Sequence, residues 1–95
     1  MTVYVDDIVT YPNKPHGHEK WCHMACDGDI EELHAMADRI KLRRSWFQDG
    51  QVQHYDLTPS KRTLAVINGA VEVDRRTLHR KCWAPFLDRN EMKGE

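Results

Sequence analysis

The chain has 95 residues, of which 40% are hydrophobic and 31% are charged, a balance typical of one small globular domain. Fourteen lysines and arginines against fifteen acidic residues give a formal charge of −1, so no overall positive field favours nucleic acid. No apolar run approaches the about 20 residues that span a bilayer, and the N-terminal residues MTVYVDDIV lack the pattern of a signal peptide.

Three secondary-structure elements are predicted in the first half of the chain. They are a strand, a second strand and a helix, over residues 2–8, 20–26 and 30–41. The first strand alternates Val3 and Val5 with polar residues and ends in the carboxylates of Asp6 and Asp7. Prolines and a glycine make the segment between the strands a loop, and Asp29 is placed to cap the helix.

The second half of the chain predicts short strands around one helix. The strands cover residues 45–48, 52–57 and 70–73. The helix begins at Thr58–Pro59, where threonine supplies the cap and proline suits the first turn, and Gly69 closes it. This alternation predicts a small α/β domain over residues 1–74, with a sheet of about four strands and two main helices packed on it. Residues 75–95 are predicted to be a C-terminal extension that is partly helical or frayed.

Five segments of the chain follow one another in an order that matches a known pattern. They are VYVDD (3–7), KWCHM (20–24), EELHAMADRI (31–40), RRSWFQ (43–48) and HYDLTPSKRTLAVINGAVEV (54–73). Together they resemble the family catalogued as domain of unknown function 4031, short proteins of bacteria and bacteriophages. The resemblance covers residues 3–73. It implies a small cytoplasmic protein, often phage-encoded, and it implies no activity.

Carboxylates and histidines near the predicted strand ends form one candidate site. The group comprises Asp6, Asp7, His23, Asp27, His34, His54 and Asp56. Its metal candidates for Mg²⁺ or Mn²⁺ are Asp6, Asp7, His54 and Asp56, and its catalytic candidates are Asp6, Asp7, His23 and Asp56. A metal held there could activate a water, and the same groups could serve without metal as a general acid and base. The alternative is that these residues cap helices, bound turns and pair with arginines.

The start of the second predicted helix is a candidate anion site. Two hydroxyls and two cations surround this helix N-terminus, from Thr58, Ser60, Lys61 and Arg62. Basic residues in a first turn oppose the helix dipole, which favours a bound phosphate or carboxylate. Ring side chains that could contact a nucleotide-like ligand there are Trp21, His23, His54 and Tyr55. The alternatives are an ordinary capped helix with a solvated basic turn, and aromatic rings that belong to the core.

Histidines and cysteines also cluster within residues 16–26, which raises the question of zinc. On an extended strand, Cys22 and Cys26 would lie about 13 Å apart, too far to share one ion, and His23 would point to the opposite face. We therefore expect no structural zinc and expect both cysteines in the core. Because no signal peptide is predicted, the three thiols are expected to be reduced, as in the cytoplasm.

Three classes of function are compatible with these patterns. The first is a binding module for a small anionic, nucleotide-like ligand, which in a phage protein could act on host signalling. The second is a metal-dependent hydrolase of a phosphoester or nucleotide bond that uses the aspartates and histidines, so the sequence leaves open whether the protein is an enzyme. The third is a protein-interaction module that self-associates through an apolar tail around Trp83 and Phe86.

Overall fold

A mixed β-sheet with helices on both faces makes up the computed structural model, which describes residues 2–50 and 52–82. Its elements in chain order are β1 (Val3–Val5), β2 (Val9–Thr10), β3 (Lys20–Cys26), α1 (Ile30–Arg39), β4 (Gln48–Asp49), β5 (Gln53–Leu57), α2 (Pro59–Ile67), β6 (Val71–Glu72) and α3 (Arg75–Cys82). Short 3-10 helices occupy Pro15–Gly17 and Arg44–Trp46. The second of these replaces most of the strand predicted over residues 45–48, of which only Gln48 lies in a strand, at the start of β4.

The strands run in the order β4-β5-β3-β1-β6, and β2 also pairs with β3. Neighbouring strands are antiparallel except for β1 and β6, which are parallel. The predicted α/β class is confirmed. The described part of the sheet holds six strands instead of about four, because the two-residue strands β2 and β4 are too short to show alternation.

A β-bulge separates β1 from β2. Val5 pairs with Met24 and Val9 pairs with Trp21, so residues 6–8 lie opposite only two residues of β3. A bulge of this kind bends its strand and increases the local twist, and bulges are frequent beside active sites. Of the single strand predicted over residues 2–8, only β1 forms, because residues 6–8 lie in the bulge and β2 begins after the predicted range.

One face of the sheet packs against α1 and α2 and forms the main core. Its completely buried members include Val5, Met24, Leu33, Tyr55 and Leu57. The capping predicted for α1 is confirmed, since the Asp29 side chain accepts a hydrogen bond from the Glu31 N–H at 3.0 Å. Gly69 closes α2 with a φ of 106°, in the left-handed region that glycine tolerates. Thr58 precedes α2, but its side chain makes no capping hydrogen bond.

Within the described residues, 2–50 and 52–82, the other face of the sheet is covered only in part. Leu78 and Cys82 of α3 pack on Tyr4 and Ala25 and form a second, smaller core there. Next to Ala25 on the same face lie polar side chains of β3 and β5, which α3 leaves accessible. The predicted interface at Trp83 and Phe86 lies outside the described residues. Within residues 2–50 and 52–82, no helix has the length and apolar character needed to cross a bilayer.

Candidate metal centre

Alternation along β3 and β5 places three polar side chains on the partly open face of the sheet. His23 of β3 pairs with Asp56 of β5, and the next pair on the same face contains His54. Since neighbouring residues of a strand point to opposite faces, Cys22 and Met24 face the core while His23 faces away from it. Three of the predicted site residues are thereby brought side by side.

Asp6, which follows β1, fixes the orientation of the His23 ring. The Asp6 side chain is only 1% exposed. Its Oδ1 accepts the backbone N–H of His23 at 2.6 Å, and its Oδ2 lies 2.8 Å from His23 Nδ1. An ionised carboxylate only accepts hydrogen bonds, so Nδ1 carries the ring proton. The Nε2 atom of His23 is left with its lone pair.

The His54 ring is fixed in the same way by a backbone carbonyl. His54 Nδ1 donates to the Val52 carbonyl oxygen at 2.6 Å, which leaves Nε2 of the neutral ring with its lone pair. That Nε2 lies 3.3 Å from Asp56 Oδ1, and His23 Nε2 lies 3.9 Å from the same oxygen. Two imidazole nitrogens and one carboxylate oxygen therefore converge on one point.

The spacing of these three ligand atoms suits a single metal ion. One ligand atom from each of the three residues lies within 4.8 Å of the other two. Ligands bonded to one ion at about 2.0–2.2 Å lie about 3–4 Å apart, so small side-chain adjustments would complete the site. Histidine, histidine and aspartate form the sole group with metal-ligand spacing that residues 2–50 and 52–82 contain. Three protein ligands leave further coordination positions for water or substrate.

Charge interactions within the group favour an ion pair when no metal is bound. Burial opposes protonation of His54, but the hydrogen bonds to Asp56 and to the Val52 carbonyl outweigh it and raise the pKa of His54. Burial likewise opposes ionisation of Asp56, yet the hydrogen bond from His54 and the charges of both histidines lower its pKa. Gln48 Nε2 donates to the second oxygen of Asp56. In the absence of a metal, His54 and Asp56 thus stabilise each other's charged forms.

Two cavities meet at Asp56. The smaller, of about 400 Å³, is lined by the three converging side chains and by Tyr11 and Pro15. The larger, of about 630 Å³, extends from Asp56 towards aromatic side chains and Lys61. The candidate metal ligands are thus reachable by a small molecule.

Comparison with known proteins identifies the family but not an activity. The family described as protein of unknown function (DUF4031) matches residues 3–84 of the chain. The chain belongs to this family. The resemblance seen in the sequence is confirmed, and DUF4031 extends beyond residue 73 through α3. No curated protein and no solved structure matches the chain.

Three other candidates of the Asp/His group lie apart from the converging atoms in this DUF4031 protein. Asp7 falls in the bulge and is exposed. Asp27 accepts hydrogen bonds from the Thr2 N–H and the Tyr4 hydroxyl. His34 is buried, with its Nδ1 2.8 Å from the Tyr55 hydroxyl, and burial lowers its pKa. Asp27 and His34 thus contact other polar groups of the protein and do not contribute to the converging atoms.

The two cations of the predicted anion site are engaged with the protein itself. Arg62 donates from Nε to the Asp6 carbonyl at 2.8 Å and from its guanidinium to Glu72 at 2.9 Å. Lys61 Nζ donates to the Ile40 carbonyl at 2.7 Å. Thr58 and Ser60 hydroxyls lie 3.3 Å from each other. Arg62 thus ties α2 to the sheet, and its charge is already paired.

The predicted ring contacts divide between the cavity and the core. Trp21 lines both cavities, and His23 and His54 line the smaller one. Tyr55 is completely buried on the opposite face, so its ring belongs to the core and cannot stack on a ligand. Sequence reasoning missed Gln48 and the Val52 carbonyl. A backbone acceptor leaves no signature in a sequence, and Gln48 meets Asp56 only through the β4–β5 pairing.

Proposed function

We propose that the protein is a divalent-metal-dependent hydrolase of a phosphoester bond, with His23, His54 and Asp56 as the metal ligands. One observation carries the proposal: both Nε2 atoms point at the same Asp56 oxygen while both Nδ1 atoms are fixed by acceptors. Metal-binding histidines characteristically donate their second ring N–H to a carboxylate or a backbone carbonyl. Here Asp6 supplies the carboxylate for His23, and Val52 supplies the backbone carbonyl for His54.

The donor set indicates which ions the site would take. Imidazole nitrogens suit Zn²⁺, Fe²⁺ and related ions, whereas Mg²⁺ prefers an octahedron of oxygen atoms. Of the two ions expected from the sequence, Mn²⁺ fits this mixed set better than Mg²⁺. Two histidines with one carboxylate is also a donor set of catalytic zinc sites, which differ from the structural zinc considered for the cysteines. We therefore propose Mn²⁺ or Zn²⁺.

The residues around the proposed ion have distinct roles. His23, His54 and Asp56 would hold the ion, which would supply Lewis acidity for activating a water and polarising a phosphoryl oxygen. Asp6 is a positioning residue, because it sets the tautomer of His23 and increases the basicity of Nε2. Gln48 holds the second Asp56 oxygen and so fixes which oxygen faces the histidines. The smaller cavity gives the phosphoester access to the remaining coordination positions.

A metal-free reaction is the second candidate, and it is favoured by the buried contact between Asp6 and His23. A carboxylate on Nδ1 orients an imidazole and leaves Nε2 to act as a general base. Hydrolysis by this route would continue after removal of divalent ions, so a chelator distinguishes the two candidates.

Metal titration of the full chain tests the proposed ligands. Calorimetry with Mn²⁺ or Zn²⁺ should give one ion per chain. His54→Ala and Asp56→Ala should each weaken binding by more than about 100-fold, since outer-shell changes alone cost up to that amount. His79→Ala, which removes an exposed histidine on α3, is the matched control and should bind as the parent does. Equal binding by all four proteins would remove the metal centre.

Hydrolysis is tested with chromogenic esters after the metal result is known. The metal-loaded protein should release nitrophenolate from bis(p-nitrophenyl) phosphate or p-nitrophenyl phosphate, and a chelator should stop the reaction. Activity that survives the chelator and requires His23 would support the metal-free route. A protein that binds metal with the stated ligands but cleaves neither ester would contradict the phosphoester hydrolase.

A further inference from the structure

We infer that the larger cavity is a nucleobase subsite, which makes a nucleotide the ligand class of this site. The inference rests on the proposed function for the phosphate end of that ligand, whereas the base end rests on the cavity alone. The volume of about 630 Å³ falls within the range of about 300–1,000 Å³ common for small-molecule sites. Asp56 lines both cavities, so a ligand in the larger one extends to the proposed metal ligands.

Three aromatic side chains are among the residues that line this cavity. Trp21, Trp46 and Phe47 line it together with Leu42. Every base presents a flat π-face, so aromatic side chains bind bases by stacking with little dependence on base identity. A set of three aromatic side chains beside a candidate phosphate-reactive centre therefore fits a ligand that is planar at one end and anionic at the other.

Trp46 is the ring most available for stacking. It is 50% exposed, although a tryptophan of this size is usually well buried in a folded protein. The guanidinium of Arg43 lies 5.9 Å from its ring centre and steadies it. Trp21, by contrast, is held by a hydrogen bond from Nε1 to the His18 carbonyl at 2.8 Å. Rings that are already positioned lose little freedom when a ligand binds.

Charge at the polar end determines how the ligand depends on metal. Lys61 lines the cavity and has three N–H donors, of which the bond to the Ile40 carbonyl uses one. Asp6 and Asp56 would repel a phosphate in the metal-free protein, and a divalent ion would offset both charges. The base should therefore bind with or without metal, whereas the phosphate should strengthen binding only when the metal is present.

The contributions of the base and of the phosphate can be separated with three compounds, namely adenosine, adenosine monophosphate and ribose 5-phosphate. Each is titrated calorimetrically into the full chain, with Mn²⁺ bound and after chelation, at a temperature at which no inorganic phosphate is released during the titration. We expect adenosine to bind equally in both states and adenosine monophosphate to bind more tightly with Mn²⁺. Ribose 5-phosphate, which has no base, should bind at least tenfold more weakly than adenosine monophosphate.

Variants then place the base in the cavity. Trp46→Ala should lower the affinity for adenosine and for adenosine monophosphate by about tenfold or more. Trp46→Phe keeps an aromatic ring, so its affinity for both compounds should be close to that of the parent. Ile67→Ala is the control, because Ile67 is 73% exposed on α2 and does not line the cavity. Mn²⁺ affinity should be the same in all of these variants.

The outcomes distinguish this inference from the proposed function. The nucleobase subsite is overturned, whatever the metal result, if adenosine does not bind. It is also overturned if adenosine binds the Trp46→Ala variant and the parent protein with equal affinity. Equal affinities for ribose 5-phosphate and adenosine monophosphate overturn it as well. If adenosine binds through Trp46 in a chain that takes up no metal, the result supports the subsite and removes the metal-dependent hydrolase. A nucleotide-binding module and the metal-free reaction then remain.

Discussion

Replacing Asp6 with asparagine is the sharpest test of how the site is organised. The Asp6 carboxylate accepts two hydrogen bonds, from the backbone N–H and from Nδ1 of His23. Asparagine has nearly the same shape but only one acceptor oxygen and an NH₂ group that donates. The backbone N–H cannot change, so it retains the oxygen. The imidazole must then accept at Nδ1 and carry its proton on Nε2, the atom that the metal requires.

The expected loss can be bounded from this change of tautomer. Outer-shell substitutions at metal-bound histidines typically cost about 10–100-fold in metal affinity, which corresponds to about 1.4–2.8 kcal/mol. The fold should survive, because asparagine can still bond both partners and a hydrogen bond to a charged group contributes only about 1.5–3 kcal/mol net. Asp6→Asn should therefore bind Zn²⁺ more weakly while its circular dichroism spectrum stays the same as that of the parent.

Competition with a coloured zinc chelator measures the affinity directly. Asp27→Asn is the matched control, since Asp27 also accepts one backbone N–H and one side-chain donor but lies outside the metal group. It should bind Zn²⁺ as the parent does. If Asp6→Asn also binds like the parent, Asp6 does not set the His23 tautomer and the reasoning fails.

Three other properties can be checked without a substrate. A metal competes with the proton on His54, whose pKa is raised above 6.5. Metal affinity should therefore increase as pH rises through that pKa and then level off. A metal affinity that is independent of pH would contradict His54 as a ligand. Burial raises the pKa of Cys22 and of Cys82 to about 12, so both thiols should resist an aromatic disulfide reagent until the protein unfolds. Leu78→Ala should lower the free energy of unfolding by about 2–5 kcal/mol in a denaturant titration, because Leu78 joins α3 to the sheet; an unchanged midpoint would show that α3 adds nothing to the core.

Local patterns were sufficient to predict several features that position the site. The Asp29 cap and the apolar spacing gave α1, and the Thr58–Pro59 signal located the start of α2. Alternation along residues 20–26 correctly placed Cys22 and His23 on opposite faces of one strand. Caps and strand alternation depend on a few neighbouring residues, so a sequence is enough to predict them.

The remaining features of the site depend on pairing between strands that are distant in the sequence, so local patterns could not predict them. The convergence of His23 with Asp56 requires β5 to lie beside β3, and many residues separate the two strands along the chain. The bulge gives the neighbouring residues Asp6 and Asp7 different environments. Asp6 is buried against His23, whereas Asp7 is exposed. Arg62 illustrates the same limit, since a sequence gives its charge but not the carbonyl and carboxylate that it binds.

Hydrogen bonds to both the side chain and the backbone carbonyl of Asp6 form a chain of contacts from the site to the protein surface. Its side chain holds His23, while its carbonyl accepts Arg62 of α2, which in turn binds Glu72 of β6. Glu72 is 59% exposed. Coupling between two binding sites is reciprocal, so a chain that transmits restraint from His23 to Glu72 must also transmit it from Glu72 to His23. We therefore expect removal of the charge at Glu72, an exposed carboxylate outside the metal group, to weaken metal binding at His23.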